Sequence, residues 1–234
     1  MSLETWHLLG VSLRGVCAFF WMSAYLLIIR RGMRDRLPAM PLAAFALNIC
    51  WEGIFTFWYL PDEPMVLIGW GACFFLDVGI LVQVYRYGRL DFPHPGVRRH
   101  WTAILVGALV TAWAVLMGFT AQFGDHLGWH TGFLQNLLMS VLFVAMIVRR
   151  GSVQGQSLYI ALAKWLGTLA AFGLALQWAP AFGTAVVDHH LRAPTPTPVL
   201  VWWIYPPIFF FDVLYIALVY RASRAAGINP WRRL

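Results

Sequence analysis

FALNICWEGIFTF, residues 45–57, is apolar around almost the whole circumference of a helix and still carries Glu52. A surface helix of a water-soluble protein has a polar face; a helix without one is buried all round or spans a membrane. Composition decides between these. The 234 residues are 60% hydrophobic and 12% charged, with a mean hydropathy of +0.67. Water-soluble domains are about half apolar and about a quarter charged. The chain is therefore an integral membrane protein, and Glu52 is an acid placed within the bilayer.

Working outward, seven segments are long enough to cross about 30 Å of hydrocarbon as helices: 6–29, 39–60, 65–86, 101–122, 131–148, 157–178 and 199–220. The predicted fold is all-α: a polytopic membrane protein, a single domain over residues 1–234 built as a seven-transmembrane-helix bundle. The connectors are short apart from APAFGTAVVDHHLRAPTPTP (179–198), whose Pro, Gly and Thr mark an ordered or partly mobile loop outside the membrane. None has room for a second domain. No internal repeat is evident, which argues against transporters built from inverted repeats. The first span carries Arg14 and has no basic segment before it, so it does not read as a cleavable signal peptide.

Arginine placement gives the orientation. Arg30, Arg31, Arg34 and Arg36 follow the first span, Arg86, Arg89, Arg98 and Arg99 the third, Arg149 and Arg150 the fifth, and Arg221, Arg224, Arg232 and Arg233 the seventh. The opposite connectors hold only Arg192, alongside Glu4, Asp62, Glu63, Asp125 and Asp188. The positive-inside rule then puts the N-terminus outside and the C-terminus in the cytoplasm, which requires an odd number of spans. The net charge of +7 belongs to this pattern and not to a nucleic-acid partner. Cys17, Cys50 and Cys73 all lie in apolar runs, as small packing residues and not as disulfide or metal-binding cysteines. Trp6, Trp58, Trp101, Trp178, Trp202 and Trp203 fall near span ends, where indoles favour the lipid–water boundary. Trp21, Trp51, Trp70, Trp113 and Trp165 lie deeper and are either packing residues or the walls of an aromatic cavity.

Three acids remain inside the spans: Glu52, Asp77 and Asp212. Such a residue at a helix centre costs about 2.5–3.5 kcal/mol on insertion, so it should face the bundle interior, protonated or paired. Asn48, Glu52 and Thr56 stack along one side of the second span, flanked by Trp51 and Phe55. Trp70, Phe74 and Asp77 share a face of the third, and Tyr205, Phe209, Asp212 and Tyr215 a face of the seventh, which Pro206 and Pro207 are expected to distort. At about 1.5 Å per residue, Glu52 lies roughly 12 Å below the outer boundary, and Asp77 and Asp212 about 20 Å below it. Interhelical hydrogen bonding is the bland account of all three acids.

The chemical account is more specific. An apolar site disfavours ionisation, and a second carboxyl nearby disfavours it further, so such a site can hold a proton at neutral pH. Aromatic faces stabilise a cation by up to about 2 kcal/mol each when desolvated. Exclusion of water protects a carbocation from capture. Buried acids with aromatic walls are thus the parts needed to protonate an alkene or epoxide and steer the resulting cation. On this reading Glu52, Asp77 and Asp212 are the catalytic candidates. Asn48, Trp51, Phe55, Trp70, Phe74, Tyr205, Phe209 and Tyr215 are the substrate- and cation-stabilising ones. No metal site is expected.

NICWE (48–52) and FDVLY (211–215) resemble the signature segments of the integral membrane terpene cyclases, known from fungal indole-diterpene and meroterpenoid pathways such as those to paxilline and pyripyropene, with bacterial relatives in indole-sesquiterpenoid pathways. LDVGILVQVYRYG (76–88) is similar to the family's third helix and its exit, with Arg86 where the family pattern has Lys. The resemblance covers most of the chain. It implies seven helices, essential acids at Glu52 and Asp212, and cyclisation of a prenyl chain already attached to an aromatic or polar head. No diphosphate leaves in that reaction, so neither magnesium nor another cofactor is implied. The sequence has no Asp-rich DDxxD-like or DxDD motif of the kind found in soluble cyclases and prenyltransferases.

Other residues have plainer readings. His126 and His130 sit in a Gly-containing connector, and with His189 and His190 suit interfacial hydrogen bonding better than metal binding. Arg14 either snorkels outward or supplies a counter-charge near Glu52. Lys164, the only lysine, is placed to snorkel to the cytoplasmic end of its helix; a retinal protein would carry its lysine on the last span. Asn136 and Ser140 share a face on the fifth span, as cavity donors or packing groups. A proton-coupled small-molecule carrier is the alternative function, because intramembrane acids also serve proton relays; a receptor or scaffold is a third. One lysine among many arginines points to a GC-rich genome, hence a bacterial cell membrane and a farnesylated indole substrate. Beyond that lipophilic substrate and the lipid bilayer no partner is indicated, and oligomeric state is not written in the sequence.

Overall fold

The structure is a computed structural model and describes residues 3–178 and 198–234. Asp188, His189, His190, Arg192 and nearly all of the 179–198 connector lie outside the described residues, as do the side chains of Glu4, Trp6, Trp178 and Trp202. The described chain is helical, in the order α1 (Leu3–Asp35), α2 (Leu42–Phe57), α3 (Pro64–Tyr87), the short α4 (Pro95–Arg99), α5 (Trp101–Phe123), α6 (Trp129–Arg150), α7 (Leu158–Trp178) and α8 (Pro198–Ala225). Six of these are long and apolar enough to cross a membrane, and α2 is a shorter apolar seventh.

Local chemistry sets most of the boundaries. The second span begins at Leu42 and not at residue 39, because Pro41 sits extended at its N-cap (φ −61°, ψ 139°). Its 16 residues rise roughly 24 Å. Pro64 opens α3, where its missing N–H would have no helical partner. Left-handed glycines, Gly124 and Gly151, close α5 and α6. At the end of the first span RRGMRD stays helical, with Arg31 paired to Asp35 one turn on, so α1 reaches 33 residues. Pro206 and Pro207 lie inside α8, which continues through them.

Six helices close a ring in the order α1, α3, α2, α6, α8, α7 and back to α1, with α5 packed outside against α2. Because α2 is covered by α3, α5 and α6, eleven of its 16 residues are buried. That explains why FALNICWEGIFTF is apolar on every side. Phe45, Ile54 and Phe55 are fully enclosed, whereas Phe19, Ile68, Phe75, Val110, Val148 and Phe210 remain exposed on the outer surface, as a lipid-facing belt requires.

The two ends differ in chemistry. At the arginine-rich end two acids gather the basic residues. Asp35 accepts from Arg233 and from the Gly155 backbone N–H, both at 2.8 Å, besides Arg31. Asp91 accepts from Arg150 at 2.8 Å and pairs with Arg149, while Arg150 also donates to the Pro38 carbonyl. The arginines that give the orientation signal therefore also brace the turns. In the middle of this end Gln83 is fully buried, accepting from the Ala39 N–H at 2.7 Å and donating to the Ile28 carbonyl at 3.0 Å.

At the other end the α5–α6 connector folds down on the bundle. The buried Asp125 carboxylate accepts from the His130 and Thr131 backbone N–H groups at 3.1 and 2.8 Å and from the Thr131 hydroxyl at 2.8 Å. Those are N–H groups that the start of α6 leaves without helical partners. Gly128 is left-handed (φ +70°), and a Cβ there would lie 2.7 Å from Trp51 and 3.0 Å from Phe55. Replacing Gly128 with Ala should cost about 1–2 kcal/mol from backbone strain alone, plus the displacement of Trp51. Gly124 has the same handedness but open space around it. The expected result is a lower thermal unfolding midpoint in detergent for Gly128→Ala than for Gly124→Ala; equal midpoints would mean that the contact with Trp51 and Phe55 contributes nothing.

Candidate active site

Periodicity puts Asn48 and Glu52 on one face of α2 one turn apart, and the ring turns that face toward α1 and α3. Four side chains meet there, all buried: Tyr25 of α1, Asn48 and Glu52 of α2, and Asp77 of α3. The Tyr25 hydroxyl donates to Glu52 Oε1 at 2.7 Å and accepts from Asn48 Nδ2 at 2.6 Å. The same Asn48 amide donates its other hydrogen to Asp77 Oδ2 at 2.7 Å. One amide thus holds the two acids together. Among the described residues Glu52 Oε2 and Asp77 Oδ1 are buried with no hydrogen-bond partner, and so is Thr56 Oγ1 one turn beyond Glu52. Among the described residues neither carboxyl has an ion-pair partner.

Asp212 lies in a second cluster, formed by α6, α7 and α8. Lys164 Nζ donates to Asp212 Oδ1 at 2.6 Å, to Ser140 Oγ at 2.7 Å and to Asn136 Oδ1 at 3.3 Å. Asn136 donates in turn to Thr168 Oγ1 at 3.2 Å. Lys164 is 2% exposed and Asp212 1%. Asp212 Oδ2 is buried with no partner. Trp21 of α1 stands between the clusters: its ring centroid is 6.0 Å from Lys164 Nζ and 6.0 Å from the Tyr25 ring.

The aromatic candidates divide in the same way. Trp51, Phe55 and Trp70 form one group beyond Glu52, with centroids 4.9 to 6.2 Å apart, and the Trp51 indole donates to Thr131 at 3.0 Å. Tyr205 and Phe209 form another with Phe172, and Phe133 stacks on Tyr205. Tyr215 packs on Phe143 at 5.1 Å. The hydroxyls of Tyr205 and Tyr215 are buried without partners among the described residues. Phe74 is partly buried at the α2–α3 seam, with its ring against Gly53 and with Phe57 and Phe75 as ring partners. Of the deep tryptophans, Trp113 is 41% exposed and faces outward, so the five do not form one wall.

Several expectations change. The three acids, each placed on its own helix face by the sequence, fall into two clusters: Glu52 and Asp77 share Asn48, while Asp212 is apart with a cation. Lys164 does not snorkel; it is the buried partner of Asp212. Arg14 is not a counter-charge for Glu52, since it pairs with Glu63 at 2.7 Å at the opposite end from the arginine-rich one. Asn136 and Ser140 serve Lys164, and His130 hydrogen-bonds Asp125 at 3.1 Å. Tyr25, Phe133 and Phe172 carry no signal in the sequence that singles them out, and Trp21 stood there only as one of five deep tryptophans. Lys164 could have been found by the reasoning applied to the acids, because a lysine within a span also needs a counter-charge.

A family-level sequence model described as Pyr4-like transmembrane terpene cyclases matches residues 4–225. The Pyr4-family terpene cyclase mfmH of Annulohypoxylon moriforme is 29% identical over 67% of this chain, a match that spans 64% of its own length. The terpene cyclase ascF of Acremonium egyptiacum is 27% identical over 87% of this chain and 78% of its own. The asnovolin H synthase nvfL of Aspergillus novofumigatus is 24% identical over 87% and 82%. No solved structure matches. These relatives favour a cyclase over a carrier. With the family match running almost from end to end of a helical bundle whose acids lie buried among aromatic rings, the chain belongs to the Pyr4-like transmembrane terpene cyclases, enzymes of the membrane.

Proposed function

We propose that the protein cyclises a lipophilic substrate whose prenyl chain is already attached to a head group, by protonating the distal alkene or epoxide of that chain and guiding the carbocation that follows. The substrate class favoured here is a farnesylated indole or a related meroterpenoid precursor. The observation that carries the reading is the Glu52–Asp77 pair: two buried carboxyls joined by the Asn48 amide, each with one oxygen unpartnered. Two ionised carboxylates do not easily coexist in so apolar a place, so the pair retains at least one proton. Tyr25 occupies Glu52 Oε1 as a donor, which leaves Oε2 to carry the proton to the substrate.

The roles follow from position. Glu52, Asp77 and Asp212 are the catalytic acids. Asn48 orients the first two, and Trp51, Phe55 and Trp70 offer π-faces beyond Glu52, as Tyr205, Phe209 and Tyr215 do near Asp212. Phe74 has the least direct part, since it packs at the α2–α3 seam against Gly53 and Phe57 and has no ring contact with the Trp51 group. No diphosphate is released, so the reaction is written without metal or cofactor, and the product is an isomer of the substrate. The whole of 1–234 acts as one transmembrane domain, with its arginine-rich end in the cytoplasm. A bacterial cell membrane is proposed only from the use of arginine over lysine, and the relatives named above, which come from fungi, lend it no support.

Membranes containing the protein, incubated with a farnesylated indole in D₂O with EDTA, should yield a cyclised product carrying deuterium. Lack of product from any prenylated head group would sink the cyclase reading, and product without deuterium from an epoxide alone would mark epoxide opening. Glu52→Gln removes the general acid and should lower kcat about 10²–10⁴-fold. Asp212→Asn should lower it by about 10²–10³-fold. Full activity in either variant, with the protein folded, removes that residue from the mechanism.

Tyr25→Phe offers a finer measurement. Loss of the hydroxyl removes one hydrogen bond to Glu52 and frees one from Asn48, worth about 1–1.5 kcal/mol, so kcat should fall about tenfold with KM little changed. A rate equal to the parent's would show that Tyr25 does not orient Glu52.

A further inference from the structure

The two acid clusters differ in one respect that the cyclase reading does not explain: among the described residues only one contains a cation. Lys164 Nζ has three contacts, and the geometry makes each an acceptor. The Ser140 hydroxyl donates to the Asn136 carbonyl at 2.9 Å, so toward Lys164 it accepts. The Asn136 amide nitrogen donates to Thr168, which turns its carbonyl oxygen to Lys164. Asp212 Oδ1 completes the set at 2.6 Å. Three acceptors match the three N–H groups of an ammonium. A neutral amine there would need Asp212 as the donor, taking the proton from the stronger base to the weaker inside a shell of oxygen acceptors. At Glu52 and Asp77 the partners are Tyr25 and Asn48, which can serve a neutral carboxyl.

We infer that Lys164 is a positioning residue that holds Asp212 as its carboxylate, so that Glu52 supplies the proton that starts the reaction and Asp212 receives the proton that ends it. This rests on the cyclase reading and sharpens it.

The step balances. The Glu52 O–H bond breaks and a C–H bond forms at the distal alkene, leaving a tertiary cation. The electron pair of a neighbouring alkene closes each new C–C bond. A C–H bond beside the last cationic carbon then breaks: its electrons form the product C=C and its proton goes to Asp212 Oδ2, the buried oxygen that has no partner. A proton next to a carbocation is so acidic that a weak base suffices, so the carboxylate loses nothing by being paired. The Lys164–Asp212 pair is neutral overall and does not repel the approaching cation. Once Asp212 is protonated, Lys164 is left as an uncompensated buried charge. That favours release of the proton to solvent and reprotonation of Glu52. Trp21 lies beside both clusters, with Lys164 Nζ over its ring at 6.0 Å and the Tyr25 ring 6.0 Å away.

Infrared difference spectra of the purified full chain in detergent test the assignment without relying on turnover. Between parent and Glu52→Gln/Asp77→Asn, the carbonyl stretch of a protonated carboxyl should be lost. Between parent and Asp212→Asn only carboxylate bands should be lost. Lys164→Met should gain a protonated-carboxyl band that disappears when Asp212→Asn is added. A protonated-carboxyl band lost in Asp212→Asn alone makes Asp212 the acid and overturns the proposal. That comparison stands even if Lys164→Met does not fold. In the farnesylated-indole assay, Lys164→Met should lower kcat about tenfold or more with KM little changed, and Lys164→Arg should keep more of the rate; parent-like kcat in Lys164→Met also overturns the proposal. If the spectra come out as expected but the parent turns over no prenylated probe, the ion pair stands and the cyclase reading falls, taking the acceptor role of Asp212 with it.

Discussion

A charged or strongly polar side chain inside an apolar bundle must find a partner in the protein, because neither lipid nor a packed core supplies one. That requirement organises the interior of this molecule. Asn48 meets it for two acids at once, by spending its two amide hydrogens on Tyr25 and Asp77 while Tyr25 covers Glu52. Lys164 meets it for Asp212, with Ser140 and Asn136 filling its remaining hydrogens. The six ring helices are thereby joined in two sets of three, α1–α2–α3 and α6–α7–α8. These are hydrogen bonds that hydrophobic packing in a bilayer could not replace, since lipid tails are as apolar as the helix faces they touch.

The partnering is incomplete in a patterned way. Glu52, Asp77 and Asp212 each keep one buried oxygen free, and the hydroxyls of Tyr205 and Tyr215 are free as well. Buried polar atoms in native proteins are nearly always satisfied, so a group of exceptions calls for an explanation. Thr120, Gln135 and Gln156 are also unpartnered and lie elsewhere, but the other exceptions among the described residues share helix faces with the candidate acids, as expected where a substrate or its charge takes the missing place. Full satisfaction would have made these sites better structural glue and worse acids.

How much of this was legible in the sequence differs by level. The spans were, because about 20 apolar residues between arginine-bearing turns leave few alternatives. The second span is shorter than its hydropathy suggests, since Pro41 delays the start of α2 to Leu42 and the helix ends at Phe57. The faces were legible too: Asn48, Glu52 and Asp212 point inward as their periodicity requires. Partners were not. Helical spacing says which residues share a side, but not which neighbouring helix that side meets, and that depends on the ring order of α1, α3, α2, α6, α8 and α7. Lys164 shows the consequence. Two turns from a helix end it had the place of a snorkelling residue, and only the arrival of α6 and α8 on its face makes it a buried cation. The pairing of Arg14 with Glu63 is the opposite case, an exposed pair at a span end that owes nothing to the interior.

The ring also constrains the reaction. α2 and α6 meet on one side and α1 and α7 on the other, so the two clusters face each other from adjoining halves of one bundle, with Trp21 at the α1–α7 seam. In the proposed reaction, charge born at one cluster and discharged at the other moves along the substrate, since the acids themselves are held by hydrogen bonds. A prenyl chain suits this because each ring closure shifts the cationic centre by several carbons while the chain hardly moves. On that view the separation of the two clusters sets how far cyclisation runs before the proton is lost. Substrates of different length would then be sorted by the fixed distance between donor and acceptor, and head-group contacts would set where along that distance the chain begins.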